Sequence, residues 1–197
     1  YPQLMNMNKI LFALTVLLAT SFTLTVRAQN TKNKAMKASK TLVTYFSATG
    51  NTAKVARNIA EITGGDLFEL TPAEAYTPAD LNWHDKKSRS SVEMNDAQAR
   101  PALKNKRNDL QGYDTVFIGY PIWWDLAPRI VNTFIESHAL KGKVLIPFAT
   151  SGGSGIAGSV KALKQTYPDL NWKEGKLLNN AGKATLQKWL ESIGEAK

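Results

Sequence analysis

Short apolar runs alternate along this chain with stretches in which apolar residues recur every three or four positions. The runs at 41–46, 66–70, 115–120 and 143–149 predict buried strands, and a weaker fifth falls within 171–178. Between them, Val55, Ile59 and Ile62 mark one helical face, Ile130, Val131, Phe134 and Ile135 a second, and Leu186, Trp189, Leu190 and Ile193 a third. A further helix over 155–166 stops before Pro168, which disfavours helical geometry in the residue ahead of it. Strand and helix in alternation predict an α/β fold, a doubly wound five-stranded parallel sheet of order 2-1-3-4-5.

In such a sheet, ligands sit beyond the carboxyl ends of the strands, at the point where the winding reverses. The turns at 47–52, 121–128 and 150–155 are therefore expected to hold a ligand together. The stretch 71–112 is too long for an ordinary connection. It contains Tyr76, Asp80, Trp83, Glu93 and Arg100-Pro101, and is expected to carry helix and to reach over the ligand site.

The first part of the chain stands apart. Residues 10–24 are almost wholly apolar, follow Lys9, and lead to Val26-Arg27-Ala28, with small residues where a signal peptidase reads them. The run is short for a membrane span, which needs about 20 residues. It predicts a signal peptide over 1–28, cleavage after Ala28 and a mature chain starting at Gln29, placing the protein in the periplasm or outside the cell. The rival expectation is an uncleaved anchor, since Arg27 is unusual in a cleavage region. Residues 1–4 precede the first Met, so Met5 or Met7 is the expected start. Lys32, Lys34, Lys37 and Lys40 mark 29–40 as a flexible linker, leaving 41–197 as the folded domain.

The 197 residues contain no Cys, which excludes disulfides, thiol nucleophiles and thiolate metal sites. Without Lys9 and Arg27 of the leader, the formal net charge of +9 falls to about +7 for the mature chain, which would attract an acidic partner, anionic lipid or nucleic acid. No nucleic-acid motif accompanies the charge, so nucleic acid is not an expected partner.

The chemistry lies in the three turns. Ser47-Ala48-Thr49-Gly50-Asn51-Thr52 ends a strand and opens a helix. Backbone N–H groups and hydroxyls converge there, where the helix dipole favours an anion. The turn has no Lys or Arg and lacks the spacing of nucleoside-triphosphate loops, so it suits a terminal phosphate held by neutral donors. The bland alternative is that Ser47 or Thr49 only caps the helix. Tyr120-Pro121-Ile122-Trp123-Trp124-Asp125 places two indoles in a loop, and Trp offers a large stacking surface for a flat ring. In Thr150-Ser151-Gly152-Gly153-Ser154-Gly155, adjacent glycines let backbone N–H groups approach a ligand while the serines hydrogen-bond a polar ring edge. The alternative there is a cap for the following helix.

Taken together, these turns make 41–193 resemble the flavodoxin family. The similarity is narrower to members with a Thr-Gly-Asn-Thr loop, a Gly-Tyr-Pro-Ile-Trp-Trp loop and a Thr-Ser-Gly-Gly-Ser-Gly loop, and the segment 88–95 with Arg100-Pro101 shares it. The resemblance implies noncovalent FMN and electron transfer. By it, Ser47, Thr49, Gly50, Asn51 and Thr52 hold the phosphate, and Trp123 lies against the isoalloxazine within the Pro121, Ile122, Trp123, Trp124 stretch. Ser151, Gly152, Gly153 and Ser154 then meet the ring's pyrimidine edge.

The chain departs from the family pattern in being basic, in carrying Trp124 where many flavodoxins have Gly, and in lacking a Tyr in the third turn to cover the second flavin face. That face is expected to be open, or covered by Tyr76 or Trp83. His84 and His138 lie outside the ligand turns, and Asp80, Glu93 and Asp125 read as solvated carboxylates. The expected role is a redox carrier between a partner protein or small-molecule acceptor and a donor. The alternatives are an FMN-dependent NAD(P)H:quinone or related reductase, and a binding module that has lost FMN.

Overall fold

The computed structural model describes residues 40–196. The leader, its cleavage site and all of the linker but Lys40 lie outside the described residues. β1 (Thr41–Tyr45) is buried along its whole length, as a central strand covered on both faces must be. β2 (Asp66–Glu69), β3 (Thr115–Pro121) and β4 (Val144–Thr150) fall at the expected runs, but β2 is the edge strand and is largely exposed rather than buried, with Leu67 at 41%. All neighbouring strands are parallel and the order is β2-β1-β3-β4-β5, with β5 at Asn171–Trp172.

Successive side chains of β1 enter different cores. Leu42 and Phe46 join Val116, Ile118 and Tyr120 of β3 under α3 (Arg129–Ser137) and Leu163 of α4 (Ala157–Thr166). Val43 and Tyr45 join Phe117, Ile146 and Phe148 under α1 (Asn51–Thr63) and α5 (Lys183–Ser192). This is the doubly wound architecture expected. Ile59, fully buried on α1, anchors the second core, where truncation to Ala would cost about 2–5 kcal/mol.

The fifth strand departs from expectation because it comes in two pieces. Val144 pairs with Asn171 and Leu145 with Trp172, whereas Phe148 pairs with Lys176 and Ala149 with Leu177, so the register slips by one residue between β5 and β6 (Lys176–Leu177). The slip is a bulge, and it falls opposite Pro147, which has no N–H for the ladder. Gly175 fits at the bulge because a Cβ there would meet Ile156 and Val160 at 2.8 Å and the Pro147 carbonyl at 3.2 Å.

The long connection carries α2 (Arg89–Asn95) and a 3₁₀ turn at Leu110–Gly112, tied across itself by a bridge between Pro72 and Leu103. Its helix was expected, and its first half lies against the carboxyl end of the sheet, where Leu81, Trp83 and Ser90 share a cleft with Trp123.

Candidate functional site

The turn after β1 is shaped by Gly50, whose φ of +86° is left-handed and which leads directly into α1. Ser47 Oγ accepts the Ala53 N–H at 3.1 Å, so at this residue the capping role is real. Thr52 is buried, and its hydroxyl meets that of Thr150 at 2.9 Å, tying the first turn to the end of β4. Thr49 and Asn51 instead line a cleft of about 480 Å³. Among the described residues no acceptor takes the N–H groups of Thr49, Gly50, Asn51 and Thr52. The five residues named for a phosphate thus divide: Thr49 and Asn51 face the cleft, Gly50 shapes the turn, and the Ser47 and Thr52 hydroxyls brace it.

The same cleft includes a cation outside the turn 47–52. Lys54, one turn into α1, stands in its wall. A cation there adds to the positive end of the helix dipole, and both favour an anion.

After β3, Pro121, Ile122 and Trp123 also line this cleft. The Ile122 N–H donates to the Thr150 carbonyl at 2.8 Å, joining the second turn to the third. Trp123 and Leu126 exchange backbone hydrogen bonds of 3.0 and 2.9 Å around Trp124 and Asp125, whose φ values are +47° and +60°. Two consecutive positive φ angles are the signature of a type I′ turn, unusual for residues other than Gly, Asn or Asp. The turn separates the paired indoles. Trp123 is partly buried and edge-on to Phe46 and Tyr76, at centroid distances of 5.6 and 5.5 Å, whereas Trp124 is held out with 46% exposure.

In the third turn, Ser151 Oγ accepts the N–H groups of Gly153 (3.1 Å) and Ser154 (2.8 Å), leaving its own proton to donate. α4 begins only at Ala157, with Ile156 at the N-cap, so this turn does not cap that helix. Neither Gly152 nor Gly153 has a positive φ, and a Cβ on either would meet nothing within 4 Å. The protein's own packing therefore does not require glycine at these positions, and the space a Cβ would fill is open. Asn179 holds the turn from the end of the fifth strand: its Oδ1 accepts the Ser151 N–H and its Nδ2 donates to the Ser151 carbonyl, both at 2.8 Å.

Asn179, Asn180 and Ala181 complete the 480 Å³ cleft and were not singled out from sequence. An Asn pair just past the last strand, on the ligand side of the sheet, is the signal that marks them. A second cleft, of about 650 Å³, shares Ile122, Trp123, Ser151 and Gly152 with the first and adds Leu81, Trp83, Ser90, Trp124, Gly153 and Ser154. All three turns expected to meet a ligand thus line one continuous depression.

Behind Trp123 lies a polar lock. The Tyr76 hydroxyl donates to Glu93, Arg89 Nε donates to the same carboxylate at 2.7 Å, and the Arg89 guanidinium sits 4.0 Å over the Tyr76 ring. Burial, reinforced by the adjacent carboxylate, pushes the Tyr76 hydroxyl far above its ordinary range, so it stays protonated and donating. Glu93 is therefore not the solvated carboxylate expected. Its side chain is 13% exposed and bound on two sides.

The Flavodoxin family model matches residues 40–193. The chain belongs to the flavodoxin family. A crystal structure of a candidate flavoprotein from Bacteroides eggerthii is 61% identical, covering 79% of this chain and 98% of that one at a TM-score of 0.77. One from Bacteroides uniformis is 56% identical, covering 79% and 99% at the same TM-score of 0.77. A flavoprotein from Lactobacillus acidophilus, crystallised in complex with FMN, is 25% identical over 77% of this chain and 99% of its own, with a TM-score of 0.61. No curated protein matches the chain.

In this flavodoxin the histidines divide. His84 is exposed and stacks on Trp83, centroids 3.5 Å apart, beside the depression. His138 follows α3 as its C-cap, its Nδ1 donating to the Phe134 carbonyl at 2.8 Å and its Nε2 accepting the Arg107 N–H at 3.3 Å. Burial holds its pKa below the ordinary value, and it lines neither cleft. Asp80 spends its carboxylate on the Thr77 N–H and hydroxyl, each at 2.8 Å. Asp125 is exposed in the type I′ turn.

Proposed function

We propose that this flavodoxin binds FMN and carries electrons after export, in the periplasm or outside the cell. The observation that supports it best is the continuous depression at the carboxyl ends of the strands. It joins N–H groups at a helix N-terminus that have no acceptor among the described residues, a partly buried indole and a glycine turn with open space beside it. The residues suit the cofactor's parts. Thr49, Asn51, Lys54 and the N–H groups of 49–52 would hold the phosphate, with charge, dipole and donors acting in one direction. Trp123 would offer its indole to the ring. Ser151 and the N–H of Gly152 would serve the polar edge. The likeness to the FMN complex from Lactobacillus acidophilus supports the same reading.

When bound, FMN supplies a ring that takes up and releases electrons. The chain's part is to bind the two redox states unequally. An apolar wall of Trp123 and Ile122 makes added negative charge on the ring costly. For a one-electron couple, each tenfold preference for the oxidised form lowers the potential by about 59 mV.

A partner protein or a small-molecule acceptor would complete the circuit. The net positive charge of the mature chain, to which Lys32, Lys34, Lys37 and Lys40 contribute, favours an acidic partner over those that dock to acidic flavodoxins. Export is proposed from the apolar run at 10–24 and the small residues before Gln29. N-terminal sequencing of protein from the envelope fraction tests it. A chain beginning at Gln29 supports export, and an intact leader on soluble cytoplasmic protein refutes it. For the carrier role, the FMN-loaded protein is mixed anaerobically with NADPH or NADH and then with dithionite. Slow reduction by the nucleotides and ready reduction by dithionite support a carrier. Rapid reduction by a nucleotide with turnover on a quinone moves the function to a reductase.

A further inference from the structure

Past the ring slot the depression continues outward. Trp83 and Trp124 line the 650 Å³ cleft and also an outer cleft of about 530 Å³, to which His84, Lys86, Ser91 and Asn95 add polar and cationic wall. Trp83 is 66% exposed and Trp124 is 46% exposed, so neither indole is there to fill a core. Each is nonetheless held in place. The His84 imidazole packs against the Trp83 ring, centroids 3.5 Å apart and planes at 33°. The type I′ turn projects Trp124 at the cost of two left-handed residues, Trp124 and Asp125. A bulky residue kept in that conformation points to a role for the side chain.

The charge is one-sided. Among the described residues, no Asp or Glu lines either cleft, while Lys86 lines the outer one. Asp85, beside it in sequence, turns its carboxylate to the Lys87 N–H at 2.8 Å. Asp125 sits with its Cβ against Gly158 at the start of α4. Two exposed indoles beside an unopposed ammonium suit a flat, aromatic, negatively charged molecule, through stacking and charge together.

We infer that the outer cleft binds a planar aromatic anion of the quinone class, seated against Trp83 and Trp124 with its charge toward Lys86, as the small-molecule electron acceptor. This rests on the FMN reading of the inner cleft. In the reaction, the quinone gains an electron pair and one proton from reduced FMN and a second proton from solvent. It leaves as the hydroquinone, with oxidised FMN remaining.

The test titrates anthraquinone-2-sulfonate into the FMN-loaded protein, with FMN content checked by absorbance before and after, and uncharged 2-methylanthraquinone as the comparison. Trp83→Ala, at an exposed position that spares the fold, is expected to loosen the sulfonate about tenfold or more. Lys86→Glu is expected to loosen the sulfonate by about threefold or more, less so at high salt, while leaving the uncharged quinone unaffected. Full FMN occupancy with no sulfonate binding, with binding indifferent to Trp83→Ala, or with FMN displaced by the sulfonate overturns the outer site and leaves the FMN reading standing. A protein that takes up no FMN overturns that reading, and the acceptor role with it.

Discussion

Tyr76 and Trp123 meet edge to face, ring centroids 5.5 Å apart and planes at 79°. They come from segments nearly fifty positions apart, and the contact is held from behind by Glu93 and Arg89. Tyr76 thus positions the indole that faces both clefts. Tyr76→Phe keeps the edge contact and loses the hydrogen bond, costing about 1 kcal/mol in urea unfolding, because Glu93 retains Arg89. The near-ultraviolet circular dichroism of the indoles should stay unchanged. Tyr76→Ala should flatten that signal, and an unchanged spectrum would show that Trp123 is fixed by Phe46 alone.

Ser47 and Thr49 stand two residues apart and do different work. Ser47→Ala removes the acceptor of the Ala53 N–H and should cost about 0.5–2 kcal/mol of stability, as loss of a helix cap does. Thr49→Ala, in the cleft wall, should leave the melting temperature alone and weaken FMN more than riboflavin, which lacks the phosphate. Chemical denaturation and fluorescence titration of both variants separate the two roles. Equal loss of both ligands in Thr49→Ala would make that hydroxyl structural.

Lys54 offers a charge test of the same end of the cleft. Lys54→Gln should weaken FMN by about two- to fivefold at low salt, a difference that closes as salt screens the pair. Riboflavin should bind both proteins equally. A loss insensitive to salt would place the phosphate elsewhere.

Much of this was legible from the chain because the governing signals were local. Strands buried on both faces leave unbroken apolar runs, and β1, β3 and β4 lie where those runs are. The fifth strand was blurred because its break arises from a bulge opposite Pro147, a relationship between strands. Lys54 is not marked by the turn motif because it lies beyond Thr52 in sequence, and only the first helical turn carries it back toward the same cleft. Asn179 was passed over because its role appears only when the end of the fifth strand lies beside Ser151. Glu93 looked like a surface carboxylate because its partner Tyr76 is joined to it by the fold of a long connection.

His138 gives the molecule a pH dependence of known sign. Its pKa is depressed by burial, so the folded protein resists the proton that the unfolded chain accepts. The stability it contributes is complete above its ordinary value and is lost as pH falls toward the lower, folded one. Unfolding free energy should drop as pH falls through the ordinary histidine range, and His138→Gln should flatten that slope. A slope unchanged by the substitution would assign the loss to other groups.

The central claim is that the first two turns, after β1 and β3, and the third, after β4, form one FMN site with Trp123 at its ring. Titration calorimetry of the flavin-free protein with FMN, FAD and riboflavin, repeated with Trp123→Ala, tests it most directly. The account predicts one FMN per chain, bound more tightly than either other flavin, and a loss of about 1–3 kcal/mol on removing the indole. Preference for FAD, no flavin binding, or an affinity for FMN indifferent to Trp123 would contradict it.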